Sequence, residues 1–409
     1  MNKHILFISY TFPPYPGIGG RRWAKFAKYL TKKDYIVHVI HAKNPFDSTS
    51  LWLNDIELNN QIIRYEVKSS YPKSLLITPK SLSEKIKYRL SLIMVNLFTK
   101  GTPYDRGVFC KKEIHKLSKK IIESNNIKNV IVSCAPFSSA YHALELKKEI
   151  NDLNILVDFR DPWSWGTAYG FGNLNNSRLI FEKQMEKYVI ENSDRILVPS
   201  IEMKNHLDVT YAKYTDKIHL LSHGFDEDEI SIEPKIKSDK IRLMFYGSIY
   251  ENLNSVFESI EIILNNMNGK VTLDIYSTLS PSKQLPDSVK LKHKLINYYD
   301  SVLPEKLFKN INTYDYILII QPDYAKDFIT TKIYEIIYSQ TPIILVAKPG
   351  KLSNFILDNN LGLWISPSNL KDGMESLLDI NPQRFKLEQF PIHNYSFSSI
   401  TSELTLHFK

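Results

Sequence analysis

Short apolar runs rich in β-branched and aromatic residues recur along this chain, each followed by a loop and a helix-period pattern. Residues 4–10 (HILFISY) open the series, and 35–42, 129–133, 155–163, 195–200 and 218–222 continue it. Residues 241–247, 271–276, 316–321 and 343–347 form a second set. The run 343–347 (IILVA) has no polar interruption, which is the pattern of a strand covered on both faces. Strand 4–10, loop 11–22, helix 23–31 and strand 35–42 make a βαβ opening, which predicts a parallel, doubly wound α/β sheet. A charge-rich linker over about residues 227–240, with Pro234 inside it, separates the two sets. Two Rossmann-like domains are therefore expected, residues 1–230 and 236–393, facing a central cleft. A closing helix in 396–408 lets the tail 394–409 return to the first domain. At 409 residues and 43% hydrophobic content the chain can bury two cores.

Charge is unevenly placed. Residues 1–150 hold 25 Lys and Arg against 11 Asp and Glu, a balance of +14, and the rest of the chain stands at −6. That asymmetry points the first half toward an anionic partner: a phospholipid surface, nucleic acid or a phosphorylated substrate. Residues 80–125 read as helical and strongly basic, with apolar residues clustered between lysines. That suits an interfacial helix dipping into headgroups, and equally a partly buried connecting helix. Two cysteines, Cys110 and Cys134, give no disulfide framework, as expected in a reducing compartment. MNKHILFISY reads as a strand rather than a signal peptide, and no run approaches the ~20 apolar residues of a membrane span. A soluble or peripheral cytoplasmic protein is expected.

Three stretches carry candidate chemistry. In 324–350 (YAKDFITTKIYEIIYSQTPIILVAKPG) a loop leads to a helix that Thr330 or Thr331 can cap, with Ile333, Ile336 and Ile337 on its apolar face. Free N–H groups at the helix start and Lys332 could hold a phosphate, and Glu335, one turn on, could accept from a hydroxyl. Asp327 precedes Glu335 by eight positions. The loop 11–22 (TFPPYPGIGGRR) is not a G-x-G-x-x-G fingerprint, but Gly19 and Gly20 would let a ligand approach the backbone ahead of Arg21 and Arg22. At the end of strand 155–163 (ILVDFRDPW), Asp158 and Asp161 flank Arg160, whose proximity would keep both ionised, with Trp163 beyond. His142 lies near the head of a helix. The triplet Asp226-Glu227-Asp228 reads as solvated rather than as a metal site, and no His/Cys cluster is present in the sequence.

Six segments in order, FPPYPGIGGRRW, DFRDPW, DRILVPS, HGFD, FYGSIY and TKIYEIIYSQTPIIL, give the chain a resemblance to GT-B fold glycosyltransferases. It looks most similar to glycosyltransferase family 4 of bacterial surface-polysaccharide pathways. The resemblance implies that the C-terminal domain holds a nucleotide-sugar donor, a UDP-sugar first and a GDP-sugar next. It places Glu335 on the ribose hydroxyls, and Thr330, Thr331 and Lys332 at the diphosphate. Ser248 falls at the donor edge of the FYGSIY segment, which lacks the family's Arg/Lys pair, leaving Lys332, Arg21 or Arg22 to neutralise the diphosphate. Asp327 stands where the family's E-x7-E motif has its first glutamate. The glycine loop, with Gly19 and Gly20, would touch donor phosphate or acceptor.

The resemblance further implies transfer with retention, without metal or other cofactor, by front-face attack of the acceptor hydroxyl. Asp161, or Asp158 with Arg160, would orient the acceptor or the reacting sugar, with His142 and Trp163 on the acceptor side. Acceptors in such pathways are glycans or polyprenyl-diphosphate-linked sugars, which gives the basic half an anionic inner-membrane surface to dock on. Three alternatives stand beside this reading: a same-fold nucleotide-sugar epimerase, a nucleic-acid-modifying glycosyltransferase, and a non-catalytic sugar-nucleotide-binding protein. Aromatic residues are not interleaved with the basic ones as a stacking platform needs, so no nucleic acid is expected.

Overall fold

The structure is a computed structural model that describes residues 3–232, 238–247, 249, 254–277, 295–300, 302–323 and 329–409. The chain forms two compact units, residues 1–223 with 397–409, and residues 224–396.

The first unit holds seven strands: β1 (His4–Ser9), β2 (Ile36–Ala42), β3 (Ile62–Val67), β4 (Asn129–Cys134), β5 (Asn154–Phe159), β6 (Arg195–Val198) and β7 (Ile218–Leu220). All pair in parallel, in the order β3-β2-β1-β4-β5-β6-β7. β4 and β5 are buried along their whole length, as strands with helices on both faces must be. Strand order reverses between β1 and β4, so the loops after these two strands border a crevice, the usual ligand position in an open α/β sheet. Helix α1 (Arg21–Thr31) follows β1, and ten of its eleven residues are buried.

Residues 80–125 are not one helix. α2 (Leu82–Phe98) and α3 (Lys111–Asn125) are separated by a loop in which buried Asp105 accepts from the Gly107 and Ser138 amides. α4 (Ser138–Leu144) follows β4, and α5 (Asn176–Asn192) precedes β6.

The second unit repeats the plan with six parallel strands: β8 (Ile241–Tyr246), β9 (Val271–Ser277), β10 (Ile296–Asp300), β11 (Tyr316–Ile320), β12 (Ile343–Val346) and β13 (Gly362–Ile365). Their order is β10-β9-β8-β11-β12-β13, with the reversal between β8 and β11. α6 (Lys332–Tyr338) lies between β11 and β12. β13 begins on Gly362 because a Cβ there would run into the Ile343 backbone of its neighbour. The last helix, α7 (Phe397–Thr405), belongs to the first unit, where Phe397 lies edge-on to Phe26 of α1 with ring centroids 5.5 Å apart.

Candidate functional site

In the second unit the candidate side chains Lys332 and Glu335 lie on α6, the helix that follows β11, and strand order reverses between β8 and β11. β8 ends at Tyr246 and the chain leaves it through Gly247 at φ +121°, a backbone region that L side chains rarely adopt. Into the space a side chain would have taken comes the Nζ of Lys332, the first residue of α6. It donates to the Tyr246 carbonyl at 2.6 Å and lies 4.9 Å from the centroid of the Tyr246 ring. Burial pushes the Lys332 pKa down, and the charge of Glu335, one turn along α6, pushes it back up. Glu335 is itself buried. Ile333, Ile336 and Ile337 anchor α6 in the core.

The expected cap is not formed at Thr331. The Thr331 side chain makes no capping hydrogen bond, and α6 has only seven residues, too short for much of a dipole. The positive charge at this edge therefore comes from Lys332 rather than from a helix N-terminus. Ser248 and Asp327 lie outside the described residues.

In the first unit the loop after β1 is tied down by Arg160. Its guanidinium donates to the Gly19 carbonyl, to the Cys134 carbonyl at 2.5 Å and to the Ala135 carbonyl at 3.5 Å, so it bridges the loops after β1 and β4. A Cβ on Gly19 would stand 2.9 Å from the Thr11 hydroxyl and 3.0 Å from Arg160, and one on Gly20 would hit the Thr11 carbonyl. A side chain at either position would therefore disturb the folding of this loop. Gly17, at φ +95° with open space about it, is the exposed backbone of the loop.

Solved structures share this architecture over nearly the whole chain. A glycosyltransferase from Rickettsia africae ESF-5 matches with a TM-score of 0.61 at 18% identity, covering 99% of this chain and 97% of that one. TarM matches with 0.61 at 14%, covering 100% and 99%. Anabaena Alr3699/HepE, solved in complex with UDP and glucose, matches with 0.54 at 10%, covering 99% and 95%. The fold is GT-B. No family model matches the sequence, and neither does any curated protein, so at these identities the likeness carries the fold alone.

Within the GT-B frame several expected site residues take other parts. Asp158 is fully buried and pairs with Arg22 rather than Arg160: it accepts from Arg22 Nε at 3.1 Å, Arg22 Nη2 at 3.3 Å and Trp23 Nε1 at 2.7 Å. Arg22 also donates to the Leu221 and Ser222 carbonyls, so its guanidinium is committed to bracing the loop after β7 and is not available to a diphosphate. Trp163 is likewise withdrawn from the acceptor side. It is wholly buried, stacks on Phe137 at 4.7 Å and donates to Glu182 at 2.8 Å. Burial raises the pKa of that carboxyl to about 7.

Arg21 is buried with its guanidinium 6.0 Å from the Phe397 ring. His142 sits on α4 near Lys111, Glu145 and His115; burial first and Lys111 second lower its pKa to about 4. Asp226 is buried, not solvated, and its carboxylate accepts from the Asp228 amide at 3.1 Å. Of the DFRDP cluster, Asp161 alone keeps a partly exposed carboxylate, to which Tyr169 donates its hydroxyl at 2.8 Å.

One residue was not among the candidates. His223, in the HGFD segment after β7, has its pKa pushed well below the ordinary value by burial and then by the charges of Arg22, Arg21 and Arg160. A neutral imidazole beside three guanidiniums can accept a hydrogen bond without adding charge, whereas taking up a proton there is opposed by all three. Its signal in the sequence was its place in the HGFD segment, at the end of the last strand of the first set.

Proposed function

We propose that the chain is a glycosyltransferase that binds a nucleotide-sugar donor at the Lys332–Glu335 edge of its second unit. The donor is a UDP-sugar, with a GDP-sugar next, and the acceptor a glycan or polyprenyl-diphosphate-linked sugar of a bacterial surface polysaccharide (O-antigen, capsule or exopolysaccharide). The observation that carries the reading is a partly buried ammonium held on a backbone carbonyl at the switch point, with a buried carboxylate one turn away. A diphosphate can take over the contact that the Tyr246 carbonyl makes, and Glu335 can accept from ribose hydroxyls. A GT-B neighbour in complex with UDP and glucose supports the donor class.

The chemistry then asks little covalent work of the protein. The acceptor oxygen attacks the anomeric carbon, the bond to the diphosphate oxygen breaks, and the acceptor proton passes to the departing phosphate. Charge growing on the leaving group is stabilised by Lys332 in a preorganised site. In this reading transfer proceeds with retention and without a metal, and Asp161 orients the acceptor or the reacting sugar.

A sugar-nucleotide-binding protein without transfer is the second reading, favoured because Asp158, Arg160 and Arg22 are all committed to the scaffold. Incubation with labelled UDP- and GDP-sugars and a polyprenyl-diphosphate-linked acceptor separates the two. Labelled lipid product supports transfer; nucleotide binding with neither product nor hydrolysis supports the second reading.

A further inference from the structure

Arg106 heads a short 3-10 turn (Arg106–Phe109) that packs in front of α4, at the carboxyl edge of the first sheet. The turn is held on both sides. Buried Asp105 accepts from the amides of Gly107 and Ser138 and from the Ser138 hydroxyl at 2.6 Å. A Cβ on Gly107 would stand 2.7 Å from that hydroxyl. On the other side the Thr102 amide donates to Glu182 at 2.6 Å, and the Thr102 hydroxyl to the Tyr169 carbonyl at 2.7 Å. A Cβ on Gly170 would meet the Tyr104 ring at 2.5 Å, so the loop before Arg106 lies against the loop after β5.

The Arg106 side chain is half-buried. Its Nη1 donates to the Tyr15 hydroxyl at 3.0 Å, and among the described residues its guanidinium has neither a carboxylate partner nor a second hydrogen bond. Tyr15, from the loop after β1, is buried and keeps its proton, because burial raises its pKa. A neutral hydroxyl leaves the Arg106 charge uncompensated where water is partly excluded. On the adjoining loop Tyr169 is 38% exposed, donates its hydroxyl to Asp161, and holds φ +53°, a conformation a tyrosine seldom adopts. Burial and then the Asp161 charge raise the pKa of that hydroxyl, and the charges of Arg160 and then Arg106 pull it back. Arg160 is committed to backbone carbonyls and Arg22 to Asp158, so neither competes for an anion here.

We propose that Arg106 binds the carboxylate of an acidic sugar on the acceptor, while Asp161 accepts from a hydroxyl of the same sugar ring. A guanidinium offers a carboxylate two parallel N–H donors, and Arg106 keeps such donors unspent. A singly charged group suits the place better than a phosphate. One guanidinium balances one carboxylate, whereas the second charge of a phosphate monoester would have to be held against the anion of Asp161. The inference rests on the reading of the first unit as the acceptor side of a transferase, and it makes no use of the donor edge.

The test is binding rather than turnover: saturation-transfer NMR titrations of the full chain with methyl glucuronide and methyl galacturonide. The neutral methyl glucoside and methyl galactoside, and their 6-phosphates, are the comparison ligands. Wild type should bind one uronide at least about tenfold more tightly than its neutral counterpart and its 6-phosphate. Arg106→Gln should erase that preference and Arg106→Lys should keep part of it. Asp161→Asn should weaken acid and neutral sugar alike. Thermal melts check that the variants stay folded, and an unchanged melting shift with UDP checks that Arg106→Gln leaves the second unit alone. Uronide binding that is absent or no tighter than that of the neutral sugar overturns the proposal. So does a preference that survives Arg106→Gln, or tighter binding of the 6-phosphate. A wild type that prefers a uronide but shows no shift with UDP counts against the donor site and leaves this proposal standing; a UDP shift without a uronide preference does the opposite.

Discussion

The ammonium of Lys332 occupies the place that a side chain on Gly247 would fill, 2.6 Å from the Tyr246 carbonyl. A cation this enclosed loses hydration and regains part of it from one carbonyl and the Glu335 charge. The arrangement costs stability, which is expected where a group is held ready for a ligand rather than for the fold.

Gly247→Ala should therefore damage both fold and site. It forces φ +121° on an L residue and drives a methyl group into Lys332. A loss of about 1–3 kcal/mol is expected, together with weakened UDP binding. Chemical denaturation and calorimetric titration check the two effects.

The lowered pKa of Lys332 sets a pH dependence. In the unfolded chain the amine holds its proton up to its ordinary value, while in the fold it releases it earlier. Between the two the unfolded state binds more protons, so stability rises with pH across that alkaline window. Diphosphate binding favours the charged amine and works the other way. UDP affinity should fall as pH climbs from about 7 to about 10, with proton uptake at the upper end. Lys332→Met should bind more weakly throughout and show little of this slope in titrations over the same range.

Asp158→Asn should destabilise the first unit by about 3–5 kcal/mol, because it leaves the Arg22 guanidinium buried without its counter-charge. Arg22→Met combined with Asp158→Leu should recover much of the loss. Denaturant midpoints of the single and double variants measure this. Were Asp158 instead a group acting on substrate, the substitution would abolish turnover with little effect on the midpoint.

Asp161→Asn should do the reverse. Its carboxylate is partly exposed and held by the Tyr169 hydroxyl, so stability should change by no more than about 0.5 kcal/mol. Transfer should slow by about a hundredfold if the carboxylate orients a reacting group. Kinetics with saturating donor and acceptor, beside a thermal melt, check both halves.

The parallel strands were legible because burial on both faces leaves unbroken apolar runs, as in β12. β3 and β10 were not, since edge positions admit Arg64 and Glu66 in one and Asn297 and Asp300 in the other. β13 opens on a glycine that only its neighbour's backbone explains. Lys332 and Glu335 were legible as neighbours because one short helix carries both.

The Asp158–Arg22 pair was not legible. It joins residues 136 apart, and the nearer arginine, Arg160, drew the assignment. Trp163 misled for a similar reason: a Pro-Trp pair beyond a strand looked like a ligand platform, whereas its indole lies in the core on Phe137. Local sequence shows which residues are polar at a strand end, but not which of them the fold uses to close its own loops.

The central claim is that the second unit holds a nucleoside diphosphate against Lys332 and Glu335. The most direct test is a thermal shift of wild type and Glu335→Ala with UDP, GDP, ADP, CMP and dTDP, since a ligand that binds the folded state raises its melting temperature by mass action. A rise with one diphosphate, UDP first, that disappears in Glu335→Ala is the predicted result. No rise with any of them, or a rise of equal size in the variant, would contradict it.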